Sequence, residues 1–209
     1  MQEAGQPREE AVKTYRKLAE ANPGSYLPNL AMSLNNLGNA LGAAGQLQEA
    51  VEPLREAVET YRTLAESNPR SYLPTLAASL NNLGSALGAA GQLQERLEPQ
   101  QEAVSILRKL AESNPGSYLL NLATSLYNLG NALGDAEKLQ EVVQSRREMV
   151  ETYRTLAESN PGRYLPDLAM SLTNLGNAMG AAGQLQERLA PQREAVAIRC
   201  KLAGTGPGT

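Results

Sequence analysis

The sequence predicts an all-α fold, an α-solenoid of antiparallel helix pairs. Three observations carry that expectation: a 46-residue internal period, two apolar stripes at helical spacing within each period, and glycine and proline punctuation between the stripes. Pro23, Pro69, Pro115 and Pro161 recur at the same interval. Each opens a segment close to PGSYLPNLA that continues as SLNNLGNALGAAGQLQE and ends near YRTLAESN. The period divides the chain into repeats at 23–68, 69–114, 115–160 and 161–209, the last with a short tail. Residues 1–22 ahead of them match the second helix of a preceding partial repeat. All are expected to form one solenoid domain, because no single helix pair can bury its apolar stripe without a neighbour.

The ends keep the phase. Gln2, Glu3 and Ala4 recur as Gln48, Glu49 and Ala50, and Pro207 and Gly208 match Pro161 and Gly162. The expectation is a segment of a longer array, or one trimmed to the repeat.

Within the first full repeat, Leu27, Leu30, Ala31, Leu34, Leu37 and Leu41 fall three and four residues apart, which is one face of a helix. Ser25 is the expected cap region, with Pro28 in the first turn, where its missing N–H does no harm. The stretch Gly42 to Gly45 breaks the pattern. A second stripe, Leu47, Val51, Leu54, Val58, Tyr61 and Leu64, then runs to a stop at Asn68 and Pro69. Gly38 and Gly42 each cost up to about 1 kcal/mol relative to Ala in a helix. Close approach of the two helices is what would offset that cost.

The run LNNLGNALGAAGQLQEAVEPLREAV resembles a tetratricopeptide repeat. Leu34, Leu37 and Leu41 stand at its large apolar positions, Gly38 at the small position of the first helix, Gly45 at the turn, and Ala50 and Ala57 at the small positions of the second helix. The likeness covers all four repeats and implies a right-handed superhelix. Ordinary repeats of this family have about 34 residues. The longer unit here, with its LNNL motif, is similar to kinesin light chain repeats and to the arrays fused to bacterial and fungal signalling NTPases and caspase-like proteins. Those relatives are partner-binding modules.

Three departures stand out. Arg96 and Arg188 replace the small Ala50, and Gln100 and Gln192 replace Leu54, so either the helices splay there or the arginines reach out to water. Pro53, Pro99 and Pro191 fall well inside the expected second helix and should kink it. The third repeat carries Ser145 for that proline, Glu137 for the turn glycine and Leu120 for Pro28.

Composition narrows the function. The chain has no His, Trp or Phe and a formal net charge of -3, so it offers neither a base-activated nucleophile of the usual kind nor a basic surface for nucleic acid. GNALGAAG lacks the lysine of a phosphate loop and follows no strand. Glu49, Glu52 and Glu56 read as a solvated helix face, and Asp135 and Asp167 show no metal spacing. No catalytic residue, metal or cofactor is expected. Cys200, the only cysteine, excludes an intramolecular disulfide framework and reads as an inert helix-end residue. No apolar run suits a signal peptide or a membrane span, so the expected setting is cytoplasmic, away from membranes.

On the first helix, Asn35 and Asn39 border the apolar stripe on the side that lines the inner groove in the family. Their counterparts are Asn81 and Ser85, Tyr127 and Asn131, and Thr173 and Asn177. Asn36, Asn82, Asn128 and Asn174 lie beside them. Such a row of amides can pair with the backbone of an extended peptide, a use that the likeness to kinesin light chains supports; equally, it can satisfy neighbouring helices or water. Met32, Met170 and Tyr127 are candidate apolar anchors. No Lys or Arg stands among these positions, so a clamp on a terminal carboxylate, as in a receptor for chaperone tails, is not expected. The readings are a protein or peptide scaffold, a self-associating assembly module, and an inert spacer between fused domains.

Overall fold

The computed structural model describes residues 6–204. The end matches at Gln2 to Ala4 and at Pro207 and Gly208 lie outside the described residues. The fold is all-α, with helices α1 (Gln6–Ala21), α2 (Pro23–Ala43), α3 (Leu47–Ser67), α4 (Pro69–Ala89), α5 (Leu97–Ser113), α6 (Pro115–Asp135), α7 (Leu139–Ser159), α8 (Pro161–Ala181) and α9 (Leu189–Gly204). Two compact units divide the chain between Ile106 and Leu107, inside α5.

In the first unit each helix packs on the next along the chain, from α1 to α4. Val12 and Ala19 of α1 meet Leu30, Leu34, Leu37 and Leu41 of α2 and Ala50 and Ala57 of α3. A second cluster joins Val51, Leu54, Val58 and Tyr61 of α3 to Leu76, Leu80, Leu83 and Leu87 of α4, with Ala103 of α5. In the second unit α6, α7, α8 and α9 pack in the same succession. There Val143 and Val150 of α7 meet Leu168, Leu172, Leu175 and Met179 of α8 and Ala195 of α9. Burying each such leucine or valine contributes about 1.5–3 kcal/mol, which explains why the apolar stripes rather than intrinsic propensity decide the packing.

A single asparagine links each second helix to the next first helix. The Asn68 N–H donates to the Leu64 carbonyl at 2.9 Å, ending α3, while its side chain accepts from the Ser71 N–H at 3.2 Å, opening α4. Asn22, Asn114 and Asn160 cap α2, α6 and α8 in the same way, each followed by proline at the first helical position. The cap is therefore Asn22 and not Ser25, whose N–H is the donor. Pro28 sits inside the helix rather than in its first turn.

The other turn is set by a residue in the left-handed region. Gly45, at φ 81°, lets the Gln46 N–H reach the Leu41 carbonyl (2.9 Å) and the Gly45 N–H reach the Gly42 carbonyl (3.0 Å), closing the end of α2. Gly91 and Gly183 repeat this at φ 76° and 79°. In the third repeat Glu137 adopts φ 56° to make the same pair of bonds, a conformation that costs a residue with a Cβ about 1–2 kcal/mol.

The expected kinks are corrected in two of three cases. Pro53 lies inside a continuous α3, but α5 and α9 begin at Leu97 and Leu189, so Pro99 and Pro191 fall in first turns, where no N–H is needed. The difference traces to Arg96 and Arg188. Where α3 packs Ala50, their guanidinium groups lie over Gly88 and Gly180, in the space a Cβ would take, and the residues ahead of Leu97 and Leu189 form turns. A long side chain at the small position removes the first turn of the helix.

Second helices are also tied to one another. Arg16 pairs with Glu56 at 2.6 Å and Arg62 with Glu102 in the first unit; Arg108 pairs with Glu148 at 2.9 Å and Arg154 with Glu194 at 2.7 Å in the second. Glu56 is thus an ion-pair partner and not only a solvated face. Cys200, exposed on α9, takes the place these arginines hold in earlier repeats.

Candidate functional site

First helices face open grooves in both units. In the first, a cavity of about 220 Å³ is lined by Asn39, Leu47, Leu54, Asn82 and Ser85. A neighbouring one of about 530 Å³ is lined by Arg8, Ser33, Asn36 and Asn39. In the second, a cavity of about 510 Å³ is lined by Tyr127, Asn131, Arg146, Asn174 and Asn177, with Asp135 toward one end of α6. Of the positions expected from sequence, Asn39 and Ser85 therefore share one groove, and Tyr127, Asn131 and Asn177 share another.

The remaining positions divide. Asn35 is half-buried, and its Oδ1 accepts from the Asn82 Nδ2 at 3.2 Å, so this pair joins α2 to α4. The Asn81 carbonyl accepts from the Gln100 Nε2 at 3.3 Å. The Thr173 hydroxyl donates to the Ala169 carbonyl and accepts from Arg199 at 2.9 Å. Met32 and Met170 are each 50% exposed, enough to meet a partner, but neither lines the cavities above.

Glycines line the cavities of about 220 Å³ and 510 Å³. A Cβ on Gly38 would run into the Leu54 side chain and come within 3.0 Å of the Ala50 carbonyl oxygen. The same place holds Gln100 against Gly84, Arg146 against Gly130 and Gln192 against Gly176. The glycines thus admit whatever side chain the second helix sends across them.

No Lys or Arg stands among the first-helix positions expected from sequence, but Arg146 reaches the groove from the second helix. It is 6% exposed. It donates to the Tyr127 carbonyl at 3.1 Å and to Asn131 Oδ1 at 2.5 Å, with its guanidinium 4.6 Å from the centre of the Tyr127 ring. Burial lowers its pKa from the ordinary arginine value, partly opposed by the Tyr127 phenol. Arg8 lines the cavity of about 530 Å³ in the first unit, and Arg199 donates to the Thr173 hydroxyl away from the cavities above. The signal was present: at the 46-residue period, Arg8, Leu54, Gln100, Arg146 and Gln192 form one column.

Among the described residues, no group of three or more Asp, Glu or Cys side chains is placed to hold a metal ion, and no helix is long and apolar enough to cross a membrane. Antiparallel helix pairs with glycine-lined grooves define a helical-repeat protein of the kind that works through its surface. A tetratricopeptide repeat model matches residues 30–70, 76–115 and 168–207, more than half of the chain. The chain belongs to the tetratricopeptide repeat family.

Solved structures agree. A Podosopora anserina protein, described as a kinesin light chain with nearly identical TPR-like repeats, is 28% identical over 96% of this chain and 92% of its own, with a TM-score of 0.67. A point variant of that same protein gives 27% identity, 98% and 93% coverage and a TM-score of 0.68. BtubC from P. vanneervenii, at 19% identity, 98% and 93% coverage and a TM-score of 0.51, shares the fold. A comparison with curated protein sequences finds no match.

Proposed function

We propose that the chain is a non-catalytic protein-interaction scaffold that takes an extended peptide or partner segment in its first-helix grooves. One observation carries this reading: in each unit, amide side chains from successive first helices converge on a shared groove, Asn39 with Asn82 in the first and Asn131 with Asn174 and Asn177 in the second. Each amide presents a donor and an acceptor, which matches the alternating N–H and C=O of an extended backbone without regard to its side chains. The likeness to a kinesin light chain repeat structure supports a protein partner.

Hydrogen bonds alone do not suffice. At about 1 kcal/mol net each, four or five fall short of the roughly 8 kcal/mol that micromolar affinity needs. Tyr127, 44% exposed on the second groove, is placed to add apolar contact.

The test is selection from a displayed library of short random peptides. The native chain should enrich binders, and joint replacement of Asn39, Asn174 and Asn177 by Ala should abolish their binding with helical circular dichroism unchanged. Retained binding by that variant, or no enrichment by the native chain, rejects the reading.

A further inference from the structure

We infer that the first unit has a further docking surface on its second-helix side, a cavity at the start of α5 that takes a long basic side chain of a partner protein. This goes beyond the peptide-groove reading and does not rest on it, since none of the residues lining this cavity lines the first-helix grooves of the unit.

The cavity, of about 280 Å³, lies where α5 starts late. The Arg96 guanidinium lies over Gly88, the residues ahead of Leu97 form turns, and α5 opens beside Val58 of α3 and Leu80, Leu83 and Leu87 of α4. Those four residues and Pro99 make a buried apolar floor. The rim is charged and unbalanced. Two guanidiniums, of Arg55 and Arg62, face four carboxylates, of Glu59, Glu95, Glu98 and Glu102. Arg55 pairs with Glu95 at 2.9 Å, and Arg62 pairs with Glu59 at 2.5 Å and with Glu102. Glu98 bears on Arg62 through its charge, and the rim is left with negative charge in excess. The second unit repeats these ion pairs with one carboxylate fewer. Arg147 pairs with Glu187, Arg154 pairs with Glu151 and Glu194, and Ala190 stands where Glu98 does. The ion pairs therefore do not require Glu98.

The chemistry fits a basic side chain. A volume of about 280 Å³ falls just below the range of pockets that enclose a whole small ligand, and it suits one long side chain. Lysine and arginine join a hydrocarbon stem to a terminal cation, so the stem can lie on Leu80, Leu83 and Leu87 while the cation meets Glu98. The excess negative charge repels an anion. A purely apolar side chain would cover carboxylates without supplying a counter-charge, which is unfavourable. A metal ion fits poorly: Glu95 and Glu102 are engaged by arginines, and among the described residues no group of three or more acidic side chains is placed to hold one. The rim pairs are partly exposed, hold their geometry weakly and can rearrange around an incoming cation.

The test uses the whole chain and a displayed library of peptides that carry one central lysine among random residues. The native chain should enrich a class of peptides whose binding weakens on the order of tenfold or more when that lysine is changed to methionine, as loss of a charge-assisted hydrogen bond does. Glu98→Gln should weaken the same peptides by a similar factor, with no further loss when the two changes are combined. Gln144 occupies the equivalent position in the third repeat, so the Gln variant is expected to keep native helicity, and circular dichroism checks it. Joint replacement of Asn39, Asn174 and Asn177 by Ala should leave this binding in place. Binding lost in the asparagine variant but kept in Glu98→Gln overturns the inference and leaves the groove reading intact. Equal binding of the lysine and methionine peptides, which puts an apolar side chain in the cavity, overturns it too, as does a library that enriches no peptide dependent on Glu98. Light scattering in which the native chain self-associates and Glu98→Gln does not would seat a second copy there and overturn the assignment to a separate partner.

Discussion

The first and second units solve the same packing problem with opposite chemistry. Over Gly38 the second helix sends Leu54, which is 2% exposed and belongs to the α3–α4 core; over Gly130 it sends Arg146, 6% exposed and charged. The backbones match: α2 and α6 are each 21 residues long, capped by asparagine, and end in the same pair of turn hydrogen bonds. The cavities do not match. The one that includes Leu54 is about 220 Å³, the one that includes Arg146 about 510 Å³. A repeat fold can therefore keep its architecture fixed and change the chemistry of its groove in the one second-helix column that crosses the glycine.

Exchanging the two residues tests that separation most sharply. Leu54→Arg removes a packed core side chain and buries a charge, and should destabilise the chain by about 3 kcal/mol in chemical denaturation. Arg146→Leu should do the reverse, raising stability by about 1 kcal/mol, because a hydrophobic residue in place of a buried charge is often stabilising. Equal losses from both exchanges would show that each site is tuned to its own residue and that the column is not interchangeable.

The glycines give the next largest contrast. Gly38→Ala places a methyl group against Leu54 and the Ala50 carbonyl, so α2 and α3 must separate, at about 2 kcal/mol. Gly134→Ala has nothing within 4 Å of the new methyl and should gain up to about 1 kcal/mol from helix propensity alone. Hydrogen exchange along α2 and α6 would localise the two effects. A Gly38→Ala chain as stable as the native one would mean that glycine there is not set by packing.

Much of this was legible in the residues. The period, the paired apolar stripes and the glycine turn are statements about burial and backbone conformation, and those are local in sequence. Val51, Leu54 and Val58 lie in the core as their spacing requires. Asn39, Ser85, Asn131 and Asn177 reach the grooves because helical angle alone puts them there. What escaped depends on side-chain reach across helices. Asn35 is committed to Asn82 by the spacing of α2 and α4, which no single helix encodes. The late starts of α5 and α9 follow from the space Arg96 and Arg188 claim over a glycine on another helix. Arg146 was hidden by treating second helices as core, when the glycine opposite lets a long side chain pass through to the groove.

The smallest expected effect concerns the turn that distinguishes the third repeat. Glu137 takes φ 56°, where Gly45, Gly91 and Gly183 take 81°, 76° and 79° at the equivalent turns. Its N–H still reaches the Gly134 carbonyl at 3.0 Å, and the Lys138 N–H reaches that of Leu133 at 2.9 Å, so the turn is formed despite the unfavourable region. Glu137→Gly should relieve about 1 kcal/mol of backbone strain, less what the freer unfolded chain regains. The net gain should appear as a midpoint shift in denaturation with no change in slope. The reverse change, Gly45→Glu, should lose a similar amount in the first unit. If Glu137→Gly instead alters the peptide selectivity of the second groove, the strained turn sets the position of α7, and with it Arg146, rather than merely joining two helices.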